Sequence, residues 1–125
     1  MGSRANGYRI GIGGFRRKYL KALKREFSPS LVLAFGSRAR GDNLKSSDLD
    51  LVIVSEVFAG MAFPQRAPEV MVKLEVMEAM DLLCYTPEEY EKKRKQIGIV
   101  RIATREGVVI YRSKEKEKLN ERAGT

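Results

Sequence analysis

Phe15, Tyr19, Leu20, Leu23 and Phe27 fall on one stripe between charged residues, which predicts an amphipathic helix from Phe15 to Phe27, closed by Pro29. Leu31–Phe35 is a continuous apolar run, the mark of a buried strand. Leu49–Ser55 is apolar and β-branched and predicts a second buried strand, and Val76–Tyr85 contains a third. Gly36 to Ser47 is polar and glycine-bearing, a turn region with room for one helical turn. Residues 56–68 carry Gly60, Pro64 and Pro68 and predict a loop, followed by a short helix at Glu69–Leu74. Thr86-Pro87-Glu88-Glu89 is a helix start: Thr86 caps, Pro87 suits the first helical position and Glu89 completes a capping box. That helix is expected to run to about Lys95. Another, from Ile99 to Glu106, ends at Gly107, and Val108–Tyr111 is a short strand.

The pattern predicts an α/β (α+β) domain, a small mixed sheet with flanking helices, over residues 14–112. Residues 1–13 are Gly-rich and expected to be flexible, and 113–125 form a Lys/Glu tail, a frayed helix or disordered. The chain of 125 residues accommodates one domain and one modest core. No apolar run is long enough to span a bilayer, and the N-terminus lacks a signal-peptide core, so a cytoplasmic protein without membrane association is expected. Cys84 is the single cysteine, which excludes an intrachain disulfide and suits a small core residue better than a nucleophile.

The chain has no histidine. This excludes imidazole bases, Ser-His-Asp triads and imidazole metal ligands, so a metal would be held by oxygen and would be a hard ion such as magnesium. The formal net charge is +8, with part of the excess in Arg16–Arg25 and Lys92–Lys95. Nucleic acid, nucleotide phosphates or an acidic partner would suit that balance; solvated helix faces explain the two runs equally well, and nucleic acid is not the favoured partner.

The candidate chemistry lies in Gly36-Ser37-Arg38-Ala39-Arg40-Gly41 and Ser47-Asp48-Leu49-Asp50-Leu51. A buried strand leads into Gly36-Ser37, where glycine permits close backbone approach and serine adds a hydroxyl, a turn suited to a triphosphate. Arg38, Arg40 and Ser47 are further candidates to hold the nucleotide. Asp48 and Asp50 open the second strand two residues apart, so both carboxylates point the same way while Leu49 points into the core. Like charges so placed call for a cation between them. Asp81, in the otherwise apolar third strand, is the third acid. If its strand lies beside the one bearing Asp48 and Asp50, the three form a site for two divalent ions. A buried Asp81 paired with an arginine is the plainer reading, and Glu75 or Glu78 could substitute for Asp81 as ligand.

The order Gly36-Ser37, ten residues, Asp48-Leu49-Asp50, then Asp81 in a later strand resembles the polymerase-β-like nucleotidyltransferase superfamily. Gly-Ser-Arg-Ala-Arg-Gly and the stretch Asp81 to Tyr90 are similar to its minimal nucleotidyltransferases, often called MNT proteins. The resemblance spans roughly Leu31 to Tyr111. It implies two magnesium ions on Asp48, Asp50 and Asp81, ATP as substrate, and transfer of AMP to an acceptor hydroxyl. It further implies a helical HEPN-type toxin as partner, with a tyrosine as acceptor and this chain as antitoxin. A chain of this size has no room for the acceptor domain of the larger relatives, so a partner is expected to supply that side. Two other readings remain open at this point: a non-catalytic, nucleotide-binding antitoxin or regulatory subunit, and a small basic nucleic-acid-binding domain.

Overall fold

The structure, a computed structural model, describes residues 10–36 and 48–114. Helix α1 covers residues 12–27: α-helical at Ile12–Phe15, π-helical at Arg16–Leu20 and α-helical again at Lys21–Phe27. Phe15, Tyr19, Leu23 and Phe27 are buried and spaced by four. An α-helix of 3.6 residues per turn would rotate such a row away from the core; the wider π turn cancels that drift and keeps all four inside. The helix starts earlier than Phe15 and Ile10 is already buried, so residues 10–13 of the segment expected to be flexible belong to the fold; residues 1–9 of it lie outside the described residues. Gly14 has a packing reason: a Cβ there would lie 2.6 Å from Ile10 Cγ1.

Strands β1 (Leu31–Phe35), β2 (Leu49–Val54), β3 (Met80–Tyr85) and β4 (Val108–Arg112) form one sheet in the order β3-β2-β1-β4. β1 is antiparallel to both β2 and β4, and β2 is parallel to β3, so the sheet is mixed. Its two faces are covered differently. Val32, Ala34, Leu49, Leu51, Ile53, Leu82 and Cys84 pack with α1. The alternate positions Leu31, Leu33, Phe35, Val52, Val54 and Tyr85 pack with Tyr90, Val100 and Ala103 of two further helices, α3 (Pro87–Lys93) and α4 (Ile99–Glu106). Gly107, ending α4, lets that helix press on β1, because a Cβ would lie 2.6 Å from the Ala34 carbonyl oxygen.

The β2–β3 crossover departs most from expectation. Residues 56–68 are not a loop: a 3-10 turn at Glu56–Phe58 leads to helix α2, Phe63–Lys73. Pro64 sits in the first turn, where no N–H bond is lost, and Pro68 lies inside the helix. Arg66 explains the early start. Buried on α2, it donates Nε–H to the Met61 carbonyl (2.9 Å) and Nη1–H to the Cys84 carbonyl (3.1 Å), and pairs with Glu89 (2.5 Å). β3 begins at Met80, later than Val76. The capping box of Thr86 and Glu89 forms as expected, though α3 ends at Lys93. Of the tail only Ser113 and Lys114 lie within the described residues. Among the described residues no helix is long and apolar enough to cross a membrane.

Bonds from the Arg66 guanidinium and the Thr86 N–H hold the Glu89 carboxyl down to about 2, so their stabilisation is complete above about pH 4.5 and fades as pH falls towards 2. Arg66→Ala should lower stability by about 2 kcal/mol in urea unfolding at neutral pH, since it strips the buried Cys84 carbonyl of its donor and leaves Glu89 only the Thr86 N–H. The variant should also lose part of the acid-side decline.

Candidate active site

One end of the sheet gathers the chemistry. β1 runs out to it and ends at Gly36, while β2 and β3 start from it. Asp50 is opposite Phe35 on β1 and opposite Asp81 on β3. By strand alternation Asp50 and Asp81 share the face of Phe35, Leu83 and Tyr85, the face that α3 and α4 cover further along. The two side chains meet across the β2–β3 ladder, close enough to share a hydrogen bond when one of them carries a proton. Gly36 has φ +81°, and a Cβ on it would lie 2.6 Å from Asp50 Oδ2, so the turn passes directly over that carboxylate. Only glycine meets both demands, positive φ and no side chain.

Burial, the bond with Asp81, and the charges of Asp81 and then Asp48 push the Asp50 carboxyl up to about 6. Asp48, half-buried just ahead of β2, thus acts on Asp50 through its field, while Asp81 touches it. Asp81 is exposed at the strand's open end, so its desolvation cost is small. Asp81 is not buried, and among the described residues its neighbour is another acid rather than an arginine. Among the described residues no three acid or thiol side chains converge into a cage. The donor set is instead a carboxylate pair with a third acid nearby, open to solvent and crowded by its own charge. That fits a hard divalent cation whose remaining ligands come from a bound phosphate chain or water. Ser37, Arg38, Arg40 and Ser47 lie outside the described residues.

Glu78 is not an alternative ligand. It is buried, pairs with Lys18, and accepts a hydrogen bond from the Tyr19 hydroxyl. Burial alone would raise its pKa, but those two bonds outweigh it and hold the carboxyl below the usual range. Tyr19 also accepts the Met77 N–H at 3.2 Å, so α1 pins the segment that leads into β3 and thereby places Asp81. The signal was an acid three residues before Asp81 and a tyrosine on the apolar stripe; which acid would be buried was not written there. Glu75 is exposed, at φ +51° in the turn after α2. Cys84 is buried, its thiol pushed up by burial to about 12, as a core residue requires. Tyr85 and Tyr90 are core, and Tyr111 is half-buried beneath Lys24.

An ionised Asp50 destabilises the fold. Its folded pKa exceeds its unfolded value near 3.8, so wild-type stability should fall as pH rises from about 4 to 6 without divalent ions. Asp50→Asn can still bond Asp81 without the charge. It should melt higher than wild type above pH 6, by about 1 kcal/mol after allowance for solvent screening, and equally below pH 4. Magnesium should stabilise the wild type and not the variant. Thermal melts across pH with chelator or magnesium check all three.

A candidate nucleotidyltransferase from Sulfolobus solfataricus matches over 77% of this chain and 76% of its own, at 23% identity and a TM-score of 0.50, a likeness of fold. BolA1 from Arabidopsis thaliana (22% identity, 55% of this chain and 87% of its own, TM-score 0.43) and the BolA domain of Arabidopsis SufE1 (22%, 64% and 98%, 0.45) match less closely. No protein of curated function matches. The model of the nucleotidyltransferase domain family matches residues 16–123, from the start of the π segment through β4, and takes in both acid-bearing strands. With most of its length so matched and the Gly36 turn set over paired acids, this chain belongs to the nucleotidyltransferase domain family of the polymerase-β-like superfamily.

Proposed function

We propose that this domain transfers a nucleoside monophosphate, AMP from ATP, to an acceptor hydroxyl, a tyrosine of a helical HEPN-type partner in an antitoxin role. The observation that carries the transferase reading is the pairing of Asp50 with Asp81 across β2 and β3 under the Gly36 turn. The finer assignment of AMP, tyrosine and partner rests on the resemblance of Gly36-Ser37-Arg38-Ala39-Arg40-Gly41 and Asp81–Tyr90 to minimal nucleotidyltransferases.

Asp48 and Asp50 would hold two magnesium ions and Asp81 one of them. Magnesium bound there supplies Lewis acidity, lowering the pKa of the acceptor hydroxyl and drawing charge from the triphosphate. The Gly36-Ser37 turn receives the triphosphate, with Arg38, Arg40 and Ser47 as further phosphate contacts. The acceptor oxygen bonds to the α-phosphorus, the α–β phosphoanhydride bond breaks, and pyrophosphate leaves with the electron pair. Asp81, exposed beside the incoming hydroxyl, takes its proton and passes it to solvent. Asp50 lies opposite Asp81 in the β2–β3 register and directly under the Gly36 turn, so the two carboxylates would meet the ions side by side.

Incubation with α-labelled ATP and magnesium should label the co-purified partner, raising its mass by one AMP. Asp50→Ala and Asp81→Ala should each cut labelling by about a hundredfold or more. A folded wild type that holds its partner yet labels it with no triphosphate would refute transfer. Labelling of something other than a tyrosine would correct the acceptor alone.

A further inference from the structure

The outer face of α1 is almost wholly basic. Arg16, Arg17, Lys18, Lys21, Lys24 and Arg25 are all exposed, and the only acid in residues 16–27 is Glu26. Six positive charges and one negative leave +5 on this helix, out of +8 for the chain. Lys18 is neutralised by Glu78 and Arg25 by Glu26. Arg16, Arg17, Lys21 and Lys24 meet no acid among the described residues: Arg16 donates to the Val109 carbonyl (3.3 Å) and Lys24 sits 4.6 Å over the Tyr111 ring. The π segment that keeps the apolar row inside has an outer consequence. Positions 17, 21 and 25 lie two residues out of phase with that row, so they too stack in a straight line, about 6 Å apart along the axis.

The ends of this line are also informative. Its N-terminal half lies at the carboxylate end of the sheet: Lys18 reaches Glu78 just ahead of β3, and Arg16 reaches β4 near its start. Its C-terminal end opens on a hollow of about 590 Å³ at the opposite end, lined by Lys24, Ser28, Glu56, Val57, Pro87 and Tyr111 among others. Tyr111, Pro87 and Val57 offer flat or apolar walls, and Ser28 and Glu56 offer polar groups for a base edge. Evenly spaced cations beside a hollow with an aromatic wall match a single strand, with phosphates on the cations and one base in the hollow. An acidic peptide would use the cations but leave the hollow unexplained.

We propose that α1 and the hollow at its C-terminal end form a binding track for single-stranded nucleic acid, running along the side of the sheet that α1 covers to its far end. This stands apart from nucleotidyl transfer, since none of its residues belongs to the carboxylate site.

The test is fluorescence anisotropy with labelled single-stranded RNA and DNA of about twelve nucleotides, titrated across salt without magnesium. Binding of either should weaken about tenfold or more in the double variant Arg17→Glu/Lys21→Glu. The slope of log affinity against log salt should flatten by about 1 or more, because two phosphates no longer meet a cation. Lys93→Glu/Lys95→Glu makes the same change in net charge on exposed residues of the other face and should stay within about twofold of wild type. Tyr111→Ala should weaken single strands about fivefold. Circular dichroism confirms folding, and Arg17→Gln/Lys21→Gln stands in if the charge reversal unfolds the protein. Equal weakening by the two charge reversals would mean attraction by net charge only and overturn the proposal. So would a silent Tyr111→Ala, tighter binding of polyglutamate than of either strand, or no binding at low salt.

Discussion

Two carboxylates held side by side are the constraint around which the rest of the molecule is arranged. The parallel register of β2 and β3 puts Asp50 opposite Asp81, and neither can move away without breaking the ladder. Every neighbouring device helps to enforce that contact. Gly36 closes over Asp50 from β1; Tyr19 and Lys18 fix the approach to β3 through Glu78; Arg66 ties the crossover helix to the last turn of the same strand. The fold therefore holds a like-charge contact at the cost of some stability, the common trade for a functional site.

The two sheet faces divide the work. One is sealed by α1 and α2 and holds most of the core, including Phe15, Phe27, Phe58 and Val70. The other is covered by α3 and α4 around Tyr90, Val100 and Ala103, and Asp50 and Asp81 sit on this side, where β1 ends and the acid strands begin. A crevice at strand ends lets backbone turns and strand-borne acids converge on one ligand without burying unpaired charge. The basic outer side of α1 belongs to the first face, so a polyanion could lie there without crossing the carboxylates.

Much of this architecture was legible in the chain. β1, β2 and β4 and the capped helix after Thr86 appear within a residue or two of their expected bounds, because each combines a continuous apolar run or a cap with clear stops. The helix at Phe63–Lys73 was not legible. Pro64 and Pro68 are local breakers, and what overrides them is a buried Arg66 bridging Met61, Cys84 and Glu89, contacts between residues far apart in sequence. The roles of the acids divide in the same way. Strand periodicity puts Asp50 on the face of Val52 and Val54, whereas Asp48 lies just ahead of β2.

The sequence by itself determined the donor chemistry: no imidazole, one cysteine, and Asp48, Asp50 and Asp81 with a glycine turn at spacings that suit phosphate and a hard ion. It determined the four-residue rhythm of α1 as well, inside and out. Only the tertiary structure decided that Asp81 meets Asp50 while Glu78, three residues earlier, is buried against Lys18 and Tyr19. Local periodicity says which way a side chain points from its own strand. Which strand lies alongside, and in what register, is set by the packing of the whole core.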